Sequence, residues 1–258
     1  MKVVINDEYK SSNDLVSFLE NLDTRFNQEG SDMHIARNAI KCFEIPVETR
    51  GVASLVAKRY KKPIAIQRVV YSFFRKSKAE RAYLNGKKLL ELGIHTPTPV
   101  AYIEHKDSGL MDYCYFVCEK STDDSLEPLI LLDKPLDQDL ATSLAEFFID
   151  LHSKGIIHND LNGGNILYHQ DADSRFHFSL IDNNRMEFRS SEIPIRERMS
   201  NFCKFSSETI YLQVVECYAK TLGIDVEETK KIAKEVRQEF FEARAKRRAF
   251  WGKFKKKG

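Results

Sequence analysis

The stretch Gly155-Ile-Ile-His-Asn-Asp-Leu-Asn-Gly-Gly-Asn-Ile-Leu-Tyr168 constrains this chain more than any other. Ahead of it, Leu136, Leu140, Leu144, Phe147, Phe148 and Leu151 fall at helical spacing and predict a helix with one buried stripe, stopped by Gly155. Behind it, Ile166 to Tyr168 and Phe176 to Ile181 predict a strand pair around a turn at Gln170 to Ser174, and the second strand ends at Asp182. Asp160, Asn165 and Asp182 thus come from neighbouring loops as two carboxylates and one amide oxygen. Such a set suits a phosphate-bound divalent cation and the orientation of a hydroxyl, which predicts a phosphotransferase. Any one of the three alone would read as an ordinary turn or capping residue. It is the Asp-x4-Asn spacing between a helix and a strand pair ending in aspartate that carries the chemistry. His158, in the same loop, is read as a residue that holds the loop by hydrogen bonding and not as a general base.

The chain before this stretch alternates like strands. Val3 to Ile5 is a short strand, and Leu15, Phe18, Leu19 and Leu22 then mark a helix, together read as an edge appendage. Met33 to Ala36, Ala39 to Ile45 and Val52 to Tyr60 follow as strands, the last two a hairpin around Pro46 and Gly51. Alternation in the third of these puts Lys58 and Arg59 on opposite faces, so only one of them faces inward. Ser77 to Gly93 predicts a helix, and Val100 to Ile103 and Tyr113 to Cys118 two more strands. Glu119 to Ser125, polar and strandless, is the candidate hinge. Beyond the central stretch the pattern is helical to the end, with Asp225 and Glu228 as a capping signal for a last helix carrying Ile232, Val236 and Phe240.

At 258 residues and 42% hydrophobic content the chain can bury a large core, which excludes wholesale disorder. The net charge is +2, but eight of the basic residues lie from Arg244 onward with no acid among them, leaving −6 on the rest. Five cysteines without close Cys/His clustering argue against a zinc site and for a reducing compartment. Charge arrives too early at the N-terminus for a signal peptide, and no apolar run approaches the roughly 18 residues of a membrane span.

The segment His158-Asn-Asp-Leu-Asn-Gly-Gly-Asn-Ile-Leu167 resembles the catalytic loop of the protein kinase-like superfamily, and more narrowly that of the lipopolysaccharide kinase (Kdo/WaaP) family. The narrower resemblance rests on Gly163-Gly164, on Leu180-Ile-Asp-Asn-Asn-Arg-Met186, and on Arg75-Lys-Ser-Lys-Ala-Glu-Arg-Ala-Tyr83 followed by Thr96-Pro-Thr-Pro-Val100. It implies an α+β, bilobal protein kinase-like fold, with a β-rich N-terminal lobe over residues 1–118 and a mainly helical C-terminal lobe over 119–258. It also implies that Asp160 is the catalytic carboxylate, that Asn165 and Asp182 bind Mg2+, and that Lys58 contacts the α and β phosphates of ATP while pairing with Glu80. Ser77-x-x-Glu80 is equally a capping box, so Glu80 has a local alternative.

Three departures from regulated protein kinases stand out. Asn159 replaces an arginine, which predicts an enzyme that needs no phosphorylated activation loop. No Gly-x-Gly-x-x-Gly precedes Lys58; the candidates for a phosphate-covering turn are Ala36-Arg-Asn-Ala39 and the neighbourhood of Gly51. Gly163 and Gly164 also replace a lysine of serine/threonine kinases, which argues against a protein acceptor. The resemblance therefore implies ATP- and Mg-dependent phosphorylation of a sugar hydroxyl, on Kdo or heptose, of the lipopolysaccharide inner core. A RIO-like protein kinase, a small-molecule kinase and a catalytically silent pseudokinase scaffold are the alternatives. The tail from Arg244 to Gly258 interleaves Phe250, Trp251 and Phe254 with cations and predicts docking of a cytoplasmic protein to the anionic inner face of the membrane, near its lipid-linked glycan. Nucleic acid is not expected as a partner.

Overall fold

A computed structural model describes residues 1–35, 38–47 and 51–255, with no account of the side chains of 34, 35 and 251–255. The chain divides into two compact units, Met1–Thr122 with Leu180–Arg185, and Asp123–Ser179 with Met186–Gly258.

The first unit is built on an antiparallel sheet. In chain order its elements are β1 (Lys2–Ile5), α1 (Asn13–Glu20), α2 (Leu22–Gln28), β2 (Ser31–Ile35), β3 (Ala39–Val47), β4 (Gly51–Tyr60), α3 (Ala65–Phe73), α4 (Lys78–Glu91), β5 (Pro99–Asp107) and β6 (Leu110–Glu119). The six strands run in the order β1-β5-β6-β4-β3-β2. Their register sets Lys58 opposite Ile40 on one side and Phe116 on the other.

Each face of the sheet has its own cover. Leu15, Phe18, Leu19, Leu22 and Phe26 of α1 and α2 are buried with Phe43, Ile45, Leu55, Ala57, Ile103 and Val117. At about 2 kcal/mol for each fully buried side chain, these five make α1 and α2 a principal part of the core. The expectation of an edge appendage holds only for β1, which pairs with β5 at the sheet margin. On the opposite face Ala79 and Tyr83 of α4 pack with Tyr60, Tyr102 and Cys114; burial there pushes the Cys114 thiol up to about 11. Arg59 lies on the α1/α2 face, its guanidinium over the Phe26 ring and donating to Asn27 Oδ1. Lys58 is therefore on the α4 face.

The second unit comprises β7 (Asp124–Ser125), α5 (Glu127–Leu131), α6 (Gln138–Ser153), β8 (Ile156–His158), β9 (Ile166–Gln170), β10 (Phe176–Leu180), β11 (Met186–Phe188), α7 (Ile195–Asn201), α8 (Glu208–Leu222) and α9 (Val226–Lys255). The predicted stripe on α6 is buried at Leu140, Leu144, Phe148 and Leu151, where Phe148 stacks on Phe202. Asp137 caps the helix by accepting from the backbone of Asp139 and Leu140. Gly155 closes it at φ +70°, and an added Cβ would lie 2.0 Å from the carbonyl oxygen of Arg189, so both conformation and space require glycine. No described helix is long and apolar enough to cross a membrane.

His152 shows how this unit holds the central loop. Its Nδ1 meets the Tyr218 hydroxyl at 3.0 Å and its Nε2 meets Asn201 Oδ1 at 3.3 Å, while Asn201 Nδ2 donates to the carbonyl of His158 at 2.9 Å. Burial lowers the His152 pKa from 6.5 to about 4. The unfolded chain therefore binds the extra proton between those values; stability is complete above pH 6.5 and falls by about 3 kcal/mol as the pH approaches 4. Urea midpoints measured at pH 7 and pH 4.5 should differ accordingly, and His152→Gln should flatten the dependence. An unchanged slope in that variant would remove the assignment.

Candidate active site

In the second unit the central loop is fixed from several sides. His158 is fully buried, and its Nδ1 accepts from the backbone N–H of Asp160 at 3.1 Å, so the imidazole serves the loop's shape. Leu161 is also fully buried. The carbonyl of Asp160 accepts two side-chain amides, Asn162 Nδ2 at 2.9 Å and Asn165 Nδ2 at 2.8 Å. Asn162 Oδ1 in turn accepts from the Gly164 N–H at 3.0 Å. These bonds tie Asp160 and Asn165 into one turn, with the amide nitrogen of Asn165 committed to the Asp160 carbonyl.

Packing explains the glycine pair. A Cβ on Gly163 would sit 2.9 Å from Ile130 Cγ1 and 3.0 Å from Glu127 Cα, and one on Gly164 would sit 2.9 Å from Glu127 Oε2. Close approach of the α5 backbone and Ile130 disfavours a side chain at Gly163, whatever the acceptor is, whereas at Gly164 only the mobile end of the Glu127 side chain would have to give way. A cation reaches the loop from farther along the chain. Lys204 Nζ lies 3.4 Å from Asp160 Oδ1 and also donates to the carbonyl of Asn159. Sequence reasoning missed Lys204, because nothing in its local pattern distinguishes it from a surface lysine and 44 residues separate it from Asp160. Asn159 donates from Nδ2 to Glu187 Oε1 at 2.7 Å, and Glu187 is held in turn by Arg189. Those two partners, Arg189 first, hold the Glu187 carboxyl below its ordinary range.

In the first unit, Lys58 Nζ is 2.8 Å from Asp182 Oδ1, with both side chains largely shielded. Asp182 has φ +60°, a left-handed conformation uncommon for a residue with a Cβ and costing of order 1–2 kcal/mol. Its surroundings impose that backbone. The Leu180 N–H donates to the carbonyl of His95, Thr96 Oγ1 donates to that of Leu180, Asn183 Nδ2 donates to Thr96 Oγ1, and Asn85 Nδ2 of α4 donates to the carbonyl of Asn183. Thr96 thus has a bridging role in its Thr-Pro-Thr-Pro segment, and Leu180–Arg185 packs with the first unit although it follows the catalytic-loop strands in sequence. Asn184 Nδ2 donates to the same Asp182 oxygen that Lys58 meets.

The pair that the resemblance implies between Lys58 and Glu80 is not formed among the described residues; the ion partner of Lys58 is Asp182. Glu80 sits in the first turn of α4, where its N–H donates to Ser77 Oγ at 3.0 Å as a capping residue does, and its carboxylate acts electrostatically on Lys2 and Tyr102. Ala36 and Arg37 of the expected phosphate-covering turn lie outside the described residues, as do Glu48 to Arg50 next to Gly51.

Mg2+ takes hard oxygen ligands, one or two from protein carboxylates or amides and the remainder from phosphates and water. The Asp182 carboxylate and the Asn165 amide oxygen fit that demand by chemistry. Among the described residues no three His, Cys, Asp or Glu side chains gather into a site built from protein donors alone.

A six-stranded antiparallel sheet with a helix packed beside the lysine strand, and a second, mainly helical unit carrying an Asp-x4-Asn loop, define a kinase-like α+β protein. The solved structure of WaaP in complex with acyl carrier protein shares this fold at a TM-score of 0.57 and 17% identity, over 96% of this chain and 99% of that one. WbdD is a more distant likeness, with a TM-score of 0.43 and 16% identity over 81% of this chain and 50% of that one. No curated protein matches the sequence. The model of the lipopolysaccharide kinase (Kdo/WaaP) family matches residues 42–221, and the chain belongs to that family. It is accordingly a kinase.

Proposed function

We propose that this kinase transfers the γ-phosphoryl group of ATP, with Mg2+, to a hydroxyl of a Kdo or heptose residue in the lipopolysaccharide inner core. The observation that carries the reading is the family match across the loop in which Asp160 and Asn165 are locked by shared hydrogen bonds. Asp160 accepts the proton of the sugar hydroxyl as it attacks phosphorus. Lys204 keeps that carboxylate oriented and offers a positive charge beside it, the contribution that Gly163 and Gly164 cannot make. Lys58 contacts the α and β phosphates, Asn165 and Asp182 are the Mg2+ ligands, and the bound ion neutralises phosphate charge. Glu80 is a partner for Lys58 only on the resemblance, since no ion pair between the two is formed among the described residues.

The contact between Asn159 and Glu187 supports an enzyme that needs no activating phosphorylation, because a carboxylate stands where a phosphate would have to be received. A lipid-linked acceptor implies work at the inner face of the cytoplasmic membrane. α9 runs without interruption into the basic segment from Arg244, and that segment's charge supports a docking role for the tail. The decisive experiment is mass spectrometry of lipid A-core from a strain lacking the protein, with and without its return on a plasmid. One phosphate fewer per core is expected, restored by the plasmid; a core phosphate content that does not change would overturn the sugar-kinase reading.

A further inference from the structure

α3 is built inside out. Ile66, Val69, Val70 and Phe73 recur at helical spacing as a single apolar stripe, the kind of face that a helix ordinarily buries against its own sheet. All four are exposed, as are the flanking Ile64 and Phe74, the latter 82% accessible. The polar side of the helix faces the protein instead. Arg68 Nε donates to the carbonyl of Met111 at 2.8 Å, and its guanidinium also reaches the Asp107 carbonyl at 3.3 Å. The Ser72 hydroxyl accepts from the Met111 N–H at 2.7 Å and donates to the carbonyl of Arg68 at 2.6 Å. These bonds fix the rotation of α3 on the β5–β6 hairpin so that the stripe points away from the sheet. Six exposed apolar side chains in one short segment are costly in water unless something else covers them.

The charge around the stripe indicates what covers it. Between Lys61 and Ala79 the chain has six basic residues and no acidic one, and Lys61, Lys62, Arg75 and Lys76 are exposed at the two ends of the helix. An apolar stripe with two adjacent phenylalanines, ended on both sides by cations, is the composition of a helix that lies in the interface of an anionic bilayer. The size of the surface argues in the same direction. A nine-residue helix is about 14 Å long and about 10 Å across, roughly a fifth of the about 800 Å² that each partner contributes to a stable protein complex. A bilayer imposes no such minimum, because it accepts a protruding apolar helix together with its charged flanks.

We infer that α3 is a membrane-docking helix, inserting Ile66, Val69, Val70 and Phe73 into the headgroup region of an anionic bilayer while Lys61, Arg75 and Lys76 meet lipid phosphates and Lys62 stays paired with Asp112. This surface is separate from the basic tail and belongs to the unit that carries Lys58. The test is co-sedimentation of the full chain with vesicles of phosphatidylethanolamine and phosphatidylglycerol, compared with vesicles of phosphatidylcholine alone. The wild type should pellet with the anionic vesicles at least tenfold more than the triple variant Ile66→Ser, Val69→Ser, Phe73→Ser, and should leave phosphatidylcholine largely unbound. All three side chains are exposed, so the variant should melt with the wild type, which separates lost docking from lost folding. In a Phe73→Trp chain, bromine-labelled lipid should quench fluorescence beyond the quenching of Trp251 in the wild type. Equal pelleting of the triple variant would overturn the inference, as would a Phe73→Trp chain whose added emission the labelled lipid leaves unquenched. So would a wild type that ignores vesicles but self-associates through this face, a change read by light scattering and abolished in the triple variant. Binding is measured without ATP or acceptor, so a negative result leaves the phosphoryl-transfer reading intact, and a failure of that reading leaves this one intact.

Discussion

Asp160→Asn should lower phosphoryl transfer to the proposed core-lipid acceptor by roughly a thousandfold, about 4 kcal/mol of transition-state stabilisation, with little change in the KM for ATP. The substitution keeps the shape of the side chain and removes its negative charge together with its ability to accept a proton. The backbone carbonyl that receives Asn162 and Asn165 is untouched, so the loop and the melting temperature should both survive. Radiolabel from γ-labelled ATP recovered in extracted lipid is the direct readout. A variant that kept more than a tenth of the wild-type rate would return Asp160 to the status of a turn residue and favour the scaffold alternative. The Lys204 contact sharpens the expectation. With the carboxylate neutralised, Lys204 loses its ionic partner at 3.4 Å, and a further Lys204→Met change should then add less to the deficit than it costs alone.

Lys58→Met should cost at least a hundredfold in kcat/KM, with a raised KM for ATP, because a contact to the α and β phosphates is lost. The structure adds a condition that the sequence does not contain. Lys58 and Asp182 are one ion pair with both side chains largely shielded, so removal of the lysine takes the ionic partner from a partly buried carboxylate. Asp182→Asn should be damaging on its own, and the double variant Lys58→Met, Asp182→Asn should be little worse than either single one, since the two act as a unit. Strict additivity in that cycle would mean that the pair seen here is incidental to transfer. Glu80→Gln provides the contrast. With no ion pair to Lys58 among the described residues, it should be mild if the residue mainly starts α4, and as severe as Lys58→Met if the resemblance-based role is right.

Much of this was legible before any coordinates. Period-two runs located β3, β4, β5 and β6, and the stripe on α6 with Gly155 after it located the helix that leads into the catalytic loop. Those patterns are local consequences of burial on one face of a strand or helix, so they are visible in one dimension. The Asp-x4-Asn spacing and Asp182 likewise follow from chemistry that needs oxygen ligands near one another. The readings that depended on which surface meets which were harder. α1 and α2 read as an appendage because their stripe does not say that it covers one whole face of the sheet, and a stripe such as that of α3 does not say that it faces away from the protein.

The sequence by itself determined the kinase-like class, most strands of the first unit with the helix before the central loop, and the loop that carries Asp160 and Asn165, because each of these is written in spacings of a few residues. Only the tertiary structure decided who stands beside whom. It set Lys204 against Asp160 across 44 positions, paired Lys58 with Asp182 instead of Glu80, and gave Leu180–Arg185 to the first unit through hydrogen bonds donated by Asn85 and Thr96 and one accepted by the His95 carbonyl. The reason is physical: an ion pair or a buried hydrogen bond depends on distance in space, and sequence separation places almost no limit on which groups the fold brings within about 3 Å.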